Sequence, residues 1–148
     1  MRIDEIKREI EVAAPIEVVW KALTSDESLS EWFGDSASVD LRPGGSASFG
    51  WSEYDDAFDA VVEVVERPSR FSFRWALQNG ASVSDSYSTL VEFELETTTE
   101  GTRVRLTESG FSALPEDVAE SALEENTRGW ESELDDLKIY LASIRPMV

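Results

Sequence analysis

The side chains that could do chemistry in this chain are carboxylates, hydroxyls, lysines and arginines, because it contains no histidine and no cysteine. An imidazole base, a thiolate nucleophile, a thiolate zinc site and a disulfide are therefore all excluded. We expect no cofactor and no bound metal, and we favour a protein that is not an enzyme. Any catalysis would have to use carboxylate, Ser/Thr, Tyr, Lys or Arg chemistry.

Two charged features are candidates for such a role. Arg8 has the same strand parity as Ile6, Ile10 and Val12, so simple alternation points its guanidinium inward, toward a carboxylate or an anionic ligand. The alternative, which we favour, is an arginine at the edge of the sheet that pairs with a glutamate. The run Glu53–Asp56 falls between two strands, where it would lie at the mouth of a cavity or, more commonly, be solvated.

Aromatic residues are the third candidate feature, because many of them alternate with polar residues and so share the inner face of a sheet. Such residues either line an apolar ligand pocket or simply fill a core, and the sequence leaves both interpretations open. The predicted ligand-binding set is Arg8, Trp32, Phe49, Trp51, Phe58, Phe71, Phe73, Trp75, Phe93, Phe111, Trp130 and Leu134.

The elements that would position these residues are mostly strands. Alternation predicts a first strand at Ile6–Val12, and further strands run from Val39 to Glu108. After Pro15, helical spacing predicts a short helix through Leu23, and Thr24 with Glu27 suggests a capping box for a second short helix that carries Trp32.

The C-terminal segment predicts one long helix that begins near Pro115. An apolar stripe follows at spacings of three and four residues, and only the apolar face of a sheet is large enough to cover it. The stripe consists of Trp130, Leu134, Leu137, Leu141 and Ile144. The predicted fold is therefore α+β, with a curved antiparallel sheet around a long C-terminal helix and two short helices after the first strand.

Chain length and net charge limit the number of domains and the kinds of partner that we expect. The 148 residues match one ordinary domain, so we expect residues 1–148 to form a single unit. The excess of 31 acidic over 13 basic residues gives a net charge of −18, which makes nucleic acid and anionic membranes poor partners. The N-terminus alternates apolar and charged residues without a continuous apolar run, so we expect a cytoplasmic protein.

Several motifs, in this order and spacing, resemble the START-related helix-grip superfamily (SRPBCC), and most closely its branch of homologues of the heat-shock-protein ATPase activator. The matching segments are Arg8–Pro15, Val19–Leu23, Trp32, Arg42–Gly45, Glu66–Pro68, Arg70–Trp75, Glu108–Phe111 and Gly129-Trp130 with Leu134 and Leu137. Together they extend from about Ile6 to Leu141.

The resemblance implies a cavity between sheet and helix for a small apolar molecule, such as a lipid, sterol or polyketide, in a stress-related binding module. Two alternatives stay open: an enzyme of the cyclase or aromatase type, and a protein-interaction domain that forms a homodimer or contacts a heat-shock ATPase. The last rests on the family name more than on any motif.

The net charge alone predicts how the stability of the protein depends on salt concentration. A net charge of −18 repels itself in the folded state, and about 1 M KCl shortens the Debye length from about 10 Å at 0.1 M to about 3 Å. We expect the melting temperature to rise along a KCl series, and to rise more than in sucrose of equal osmolarity. A flat or falling series would show that the acidic surface does not strain the fold.

Overall fold

Apolar and polar residues alternate along most of the strands, and these strands assemble into one sheet. The computed structural model describes residues 3–78, 80, 83 and 87–144. Every neighbouring pair of strands is antiparallel, and the spatial order is β1-β7-β6-β5-β4-β3-β2. The strands are β1 (Glu5–Val12), β2 (Ser36–Val39), β3 (Ser46–Trp51), β4 (Asp56–Glu66), β5 (Arg70–Ala76), β6 (Ser88–Thr97) and β7 (Thr102–Ser109).

Among the described residues, three α-helices complete the fold and confirm the predicted α+β helix-grip arrangement. They are α1 (Ile16–Thr24), α2 (Asp26–Trp32) and α3 (Glu116–Ser143). The two short helices follow β1, as predicted, and α3 crosses the apolar face of the curved sheet. No helix in the described part of the chain is long and apolar enough to cross a membrane.

The apolar stripe of α3 is buried at four of its five predicted positions. Trp130, Leu134, Leu137 and Leu141 are all at most 4% exposed. Ile144 is instead 42% exposed, because α3 ends at Ser143 and the next residue only caps it. The helix therefore contacts the sheet through a stripe one turn shorter than the sequence pattern predicted.

The second short helix is capped by a different residue from the one predicted. Ser25, not Thr24, is the N-cap of α2, and its hydroxyl accepts a hydrogen bond from the Ser28 amide at 3.0 Å. The Thr24 hydroxyl donates back to the Trp20 carbonyl at 2.7 Å, so it belongs to the end of α1. The box between Thr24 and Glu27 was wrong because α1 and α2 share a single-residue junction.

Candidate functional site

A cleft of about 650 Å³ opens between the sheet and the middle of α3. We call it the aromatic cleft. Its sheet side comes from the end of β3, the start of β4 and the end of β5, and its helix side comes from α3. It is lined by Phe33, Trp51, Asp56, Phe58, Trp75, Ala76, Leu77, Glu125, Asn126, Arg128, Gly129, Trp130, Ser132 and Glu133.

Phe33, the residue that ends α2, lies at the centre of the aromatic wall. Its ring stacks on Trp130 at 5.5 Å and on Trp75 at 6.0 Å between centroids, and Trp51 meets it edge-on at 5.1 Å. Trp75 and Trp130 also stack on each other at 5.7 Å. Offset stacking and edge contacts are the favoured geometries of aromatic pairs, so these rings hold one another in place.

The turn after Phe33 explains how this ring reaches the wall. Gly34 has φ of +73°, and a Cβ there would lie 2.3 Å from the Gly50 carbonyl oxygen, so only glycine fits. The next residue, Asp35, accepts hydrogen bonds from the backbone and hydroxyl of Ser52, and these bonds lower its pKa from the usual range. The corner that carries Phe33 is thus tied to the chain just after Trp51.

A buried carboxylate lies behind the wall. Glu108 is 0% exposed and accepts hydrogen bonds from the indole nitrogens of Trp130 and Trp75, at 2.8 and 3.0 Å. The Thr89 hydroxyl donates to it at 2.5 Å, and the Asn126 amide nitrogen reaches both of its oxygens at 3.0 and 3.2 Å. Glu108 therefore fixes the orientation of two indoles and one amide that line the cleft.

A second carboxyl group belongs to the cleft itself. Oε1 of Glu133 accepts a hydrogen bond from the Trp51 indole at 3.2 Å, whereas Oε2 is buried without a hydrogen-bond partner among the described residues. Burial raises the pKa of Glu133 to about 7, the Trp51 bond opposes this shift, and the nearby Asp136 charge adds to it. The cleft thus contains a carboxyl group that titrates near neutral pH.

Gly129 leaves space in the helical wall. A glycine in the middle of a helix often allows the helix to pack closely against a neighbouring element. That is not its role at this position, because a Cβ added to Gly129 would meet no atom within 4 Å. Glycine costs a helix about 1 kcal/mol relative to alanine. At this position its lack of a side chain widens the cleft.

A second, more polar hollow of about 580 Å³ adjoins the aromatic cleft. Trp51, Ser132 and Glu133 line both spaces. The bond between Trp51 and Glu133 therefore lies in the partition between them. The second hollow is also lined by Trp32 of α2, by Glu53 between β3 and β4, and by residues of the C-terminal half of α3.

The predicted aromatic and aliphatic site residues divide into three groups in the structure. Four of them line the aromatic cleft: Trp51, Phe58, Trp75 and Trp130. Trp32 lines the second hollow, although its indole nitrogen donates to the Ala22 carbonyl at 2.7 Å. The remaining aromatic and aliphatic residues, Phe49, Phe71, Phe73, Phe93, Phe111 and Leu134, are buried in the core.

Arg8 lies away from both spaces. Its guanidinium forms an ion pair with Glu131 of α3 at 3.1 Å, and its side chain is 35% exposed. The inward parity of β1 therefore brings Arg8 to the helix, where a carboxylate already neutralises it. Of the predicted acidic loop, Asp56 lines the aromatic cleft and Glu53 lines the second hollow.

Five residues that shape the cleft were not among the predicted site residues. They are Phe33, Glu108, Asn126, Gly129 and Glu133. A signal existed for Glu108, which continues the inward parity of Val104 and Leu106. Among the described residues, no group of three or more carboxylates is arranged to hold a metal ion.

A seven-stranded antiparallel sheet wrapped on a C-terminal helix, with a cleft between the two, defines a helix-grip protein. Residues 13–142 match the family model of the Activator of Hsp90 ATPase homolog 1-like proteins, and the chain belongs to that family. The resemblance seen in the sequence is thereby confirmed. A comparison with curated proteins found no match.

Solved structures share the fold over nearly the whole chain. MLL2253 from Mesorhizobium loti has a TM-score of 0.82 at 22% identity, with 96% of this chain and 99% of that chain covered. DynU16, from the dynemicin biosynthetic locus, has a TM-score of 0.80 at 26% identity; 98% of this chain aligns with 49% of it, about half its length. CalU16 from Micromonospora echinospora has a TM-score of 0.68 at 25% identity, with 93% and 74% covered.

Proposed function

We propose that this protein is a binding module for a small, mostly apolar molecule, which the aromatic cleft holds between sheet and helix. The observation that carries the proposal is the cleft itself, whose 650 Å³ lies within the range of ligand pockets. Its wall contains three tryptophans and two phenylalanines, with a few polar groups to orient a ligand. The similarity to DynU16, a protein from a biosynthetic locus, agrees with a small-molecule ligand.

Titration of the intrinsic tryptophan fluorescence tests the proposal, since three of the five tryptophans line the cleft. Fatty acids, sterols, aromatic polyketides and amines with an apolar body should be compared as the panel, and at least one class should give a saturable change with one site per chain. The absence of a saturable response from every class would contradict a ligand-binding role.

Variants at Gly129 test whether the ligand occupies the aromatic cleft. We expect Gly129→Leu to weaken binding by about tenfold or more, because the new side chain would extend from the cleft wall into open space. Gly129→Ala is the control: it should stabilise the protein by about 1 kcal/mol through helix propensity and leave most of the volume free. Calorimetric titration and thermal melts of both variants measure the two effects separately. Equal binding by the Leu variant and the wild type would place the ligand elsewhere.

Glu133 supports the enzyme alternative as a second candidate. A carboxyl group with a pKa of about 7 in a cleft can give or take a proton at neutral pH, as a general acid or base does. The enzyme alternative would be established by a carbonyl substrate that the wild type converts to product and that Glu133→Gln binds but does not convert. If both proteins bind the compound and neither converts it, the result supports a binding module without catalytic activity.

A further inference from the structure

The polar atoms that the aromatic cleft offers to a ligand are mainly hydrogen-bond acceptors. Glu133 contributes a buried oxygen without a partner in the described structure, and Asp56 and Glu125 add two further carboxylates. Asn126 uses its amide nitrogen on Glu108, so its amide oxygen remains the group that can accept. A ligand that matches this wall has to bring hydrogen-bond donors.

The charge of the wall has the same implication. Of the described residues that line the cleft, Arg128 is the one basic side chain, and it forms an ion pair with Glu124 at 3.0 Å. Three carboxylates therefore face the space with little compensation, in a chain whose net charge is −18. An anionic ligand would be repelled at the cleft and during its approach, whereas a cation would be attracted at both stages.

The aromatic rings favour the same sign of charge. A cation over the face of an indole is attracted by the negative potential of the ring, and desolvation strengthens the attraction. Trp51 lies beside the Glu133 carboxyl group, because its indole nitrogen donates to one of the two carboxyl oxygens at 3.2 Å. An ammonium group near this pair would contact a carboxyl oxygen and an aromatic wall together.

We propose that the aromatic cleft selects a small organic cation, a protonated amine carried on an apolar body. The proposal rests on the proposed function and specifies its ligand class. In this arrangement Phe33, Trp75 and Trp130 contact the apolar body, and Glu133 with Trp51 receives the cationic group.

Three probes with the same phenyl body and different charge test the inference: 4-phenylbutylamine, 4-phenylbutan-1-ol and 4-phenylbutanoate. Calorimetric titrations at about pH 8 keep Glu133 mostly ionised, because its pKa is about 7. We expect the amine to bind with a Kd about tenfold or more below that of the alcohol, and the carboxylate to bind more weakly than the alcohol.

Two variants separate the effect of the Glu133 carboxyl group on amine binding from the effect of the protein's net charge. Glu133→Gln should reduce the preference for the amine over the alcohol by about tenfold. Glu120→Gln is the matched control, since it removes the same charge from the same helix at an exposed position outside the cleft. Its amine affinity should match the wild type.

The outcomes distinguish this inference from the proposed function. Equal binding of amine and alcohol, or equal losses in Glu133→Gln and Glu120→Gln, would overturn the cation selectivity but leave a ligand-binding cleft. No binding of any probe, or binding that Gly129→Leu leaves unchanged, would overturn the cleft as the ligand site and the inference with it.

Discussion

Replacing Glu108 with alanine is expected to destabilise the protein by about 3 kcal/mol or more. The substitution removes the Glu108 acceptor from the buried indole nitrogen of Trp130 and from the half-buried amide of Asn126, and it leaves the Trp75 indole with only a 3.2 Å hydrogen bond to the Thr89 hydroxyl. Each buried donor that loses its partner costs about 1–3 kcal/mol, and the missing side chain also leaves a cavity. Urea denaturation measures the loss, which corresponds to a fall of about 10 °C in melting temperature for a chain of this size.

Two further variants make this prediction specific. Glu108→Gln keeps the shape but points an amide hydrogen-bond donor at other donors, so we expect a loss smaller than that of Glu108→Ala but still well above 1 kcal/mol. Glu94→Ala removes the same side chain from an exposed position on the neighbouring strand and should change stability by about 0.5 kcal/mol or less. If Glu108→Ala costs no more than Glu94→Ala, the hydrogen bonds to Glu108 do not stabilise the fold.

The same variants bear on the ligand site. Trp75 and Trp130 are held by Glu108 on one side and contribute to the cleft on the other. The orientation of these two indoles therefore depends on a buried side chain that does not itself line the cleft. The hydrogen bonds to Glu108 therefore link the stability of the core to the shape of the aromatic wall.

The strands and the long helix could be predicted because their periods are local. Alternation in Val104 and Leu106 and the spacing of Trp130 and Leu134 depend only on neighbours in the chain, and both patterns match the buried faces of the structure. The same parity also places Glu108 inward. Sequence reasoning did not interpret it as buried, because its acceptor role depends on donors from three other elements.

The wall of the cleft was harder to predict, because it depends on contacts between residues that are far apart in the sequence. Phe33 reaches its central position only because Gly34 contacts the Gly50 carbonyl across the corner of the sheet. Glu133 is not one of the apolar positions of the α3 stripe, so the helical spacing gave no sign that it would be buried. It is partly buried because Trp51, at the end of β3, reaches the helix and donates a hydrogen bond to it.

The pH dependence of stability provides the sharpest test of how Glu133 is placed. Its pKa is raised from 4.5 in the unfolded reference to about 7 in the folded protein, so the native state binds this proton more tightly. The resulting contribution to stability is fully present below about pH 4.5, and it is lost as the pH rises through about 7. The carboxyl group thus destabilises the fold once it is ionised.

We expect Glu133→Gln to remove this dependence, because glutamine cannot ionise and its amide oxygen can still accept from Trp51. A rise from 4.5 to about 7 corresponds to about 3 kcal/mol, and the partial exposure of the side chain reduces it to roughly 1–2 kcal/mol. The free energy of unfolding of the wild type, measured in urea from about pH 5 to 8, should therefore fall by that amount relative to the variant. Glu120→Gln should follow the wild type at every pH, and parallel curves for wild type and Glu133→Gln would show that the cleft leaves Glu133 hydrated.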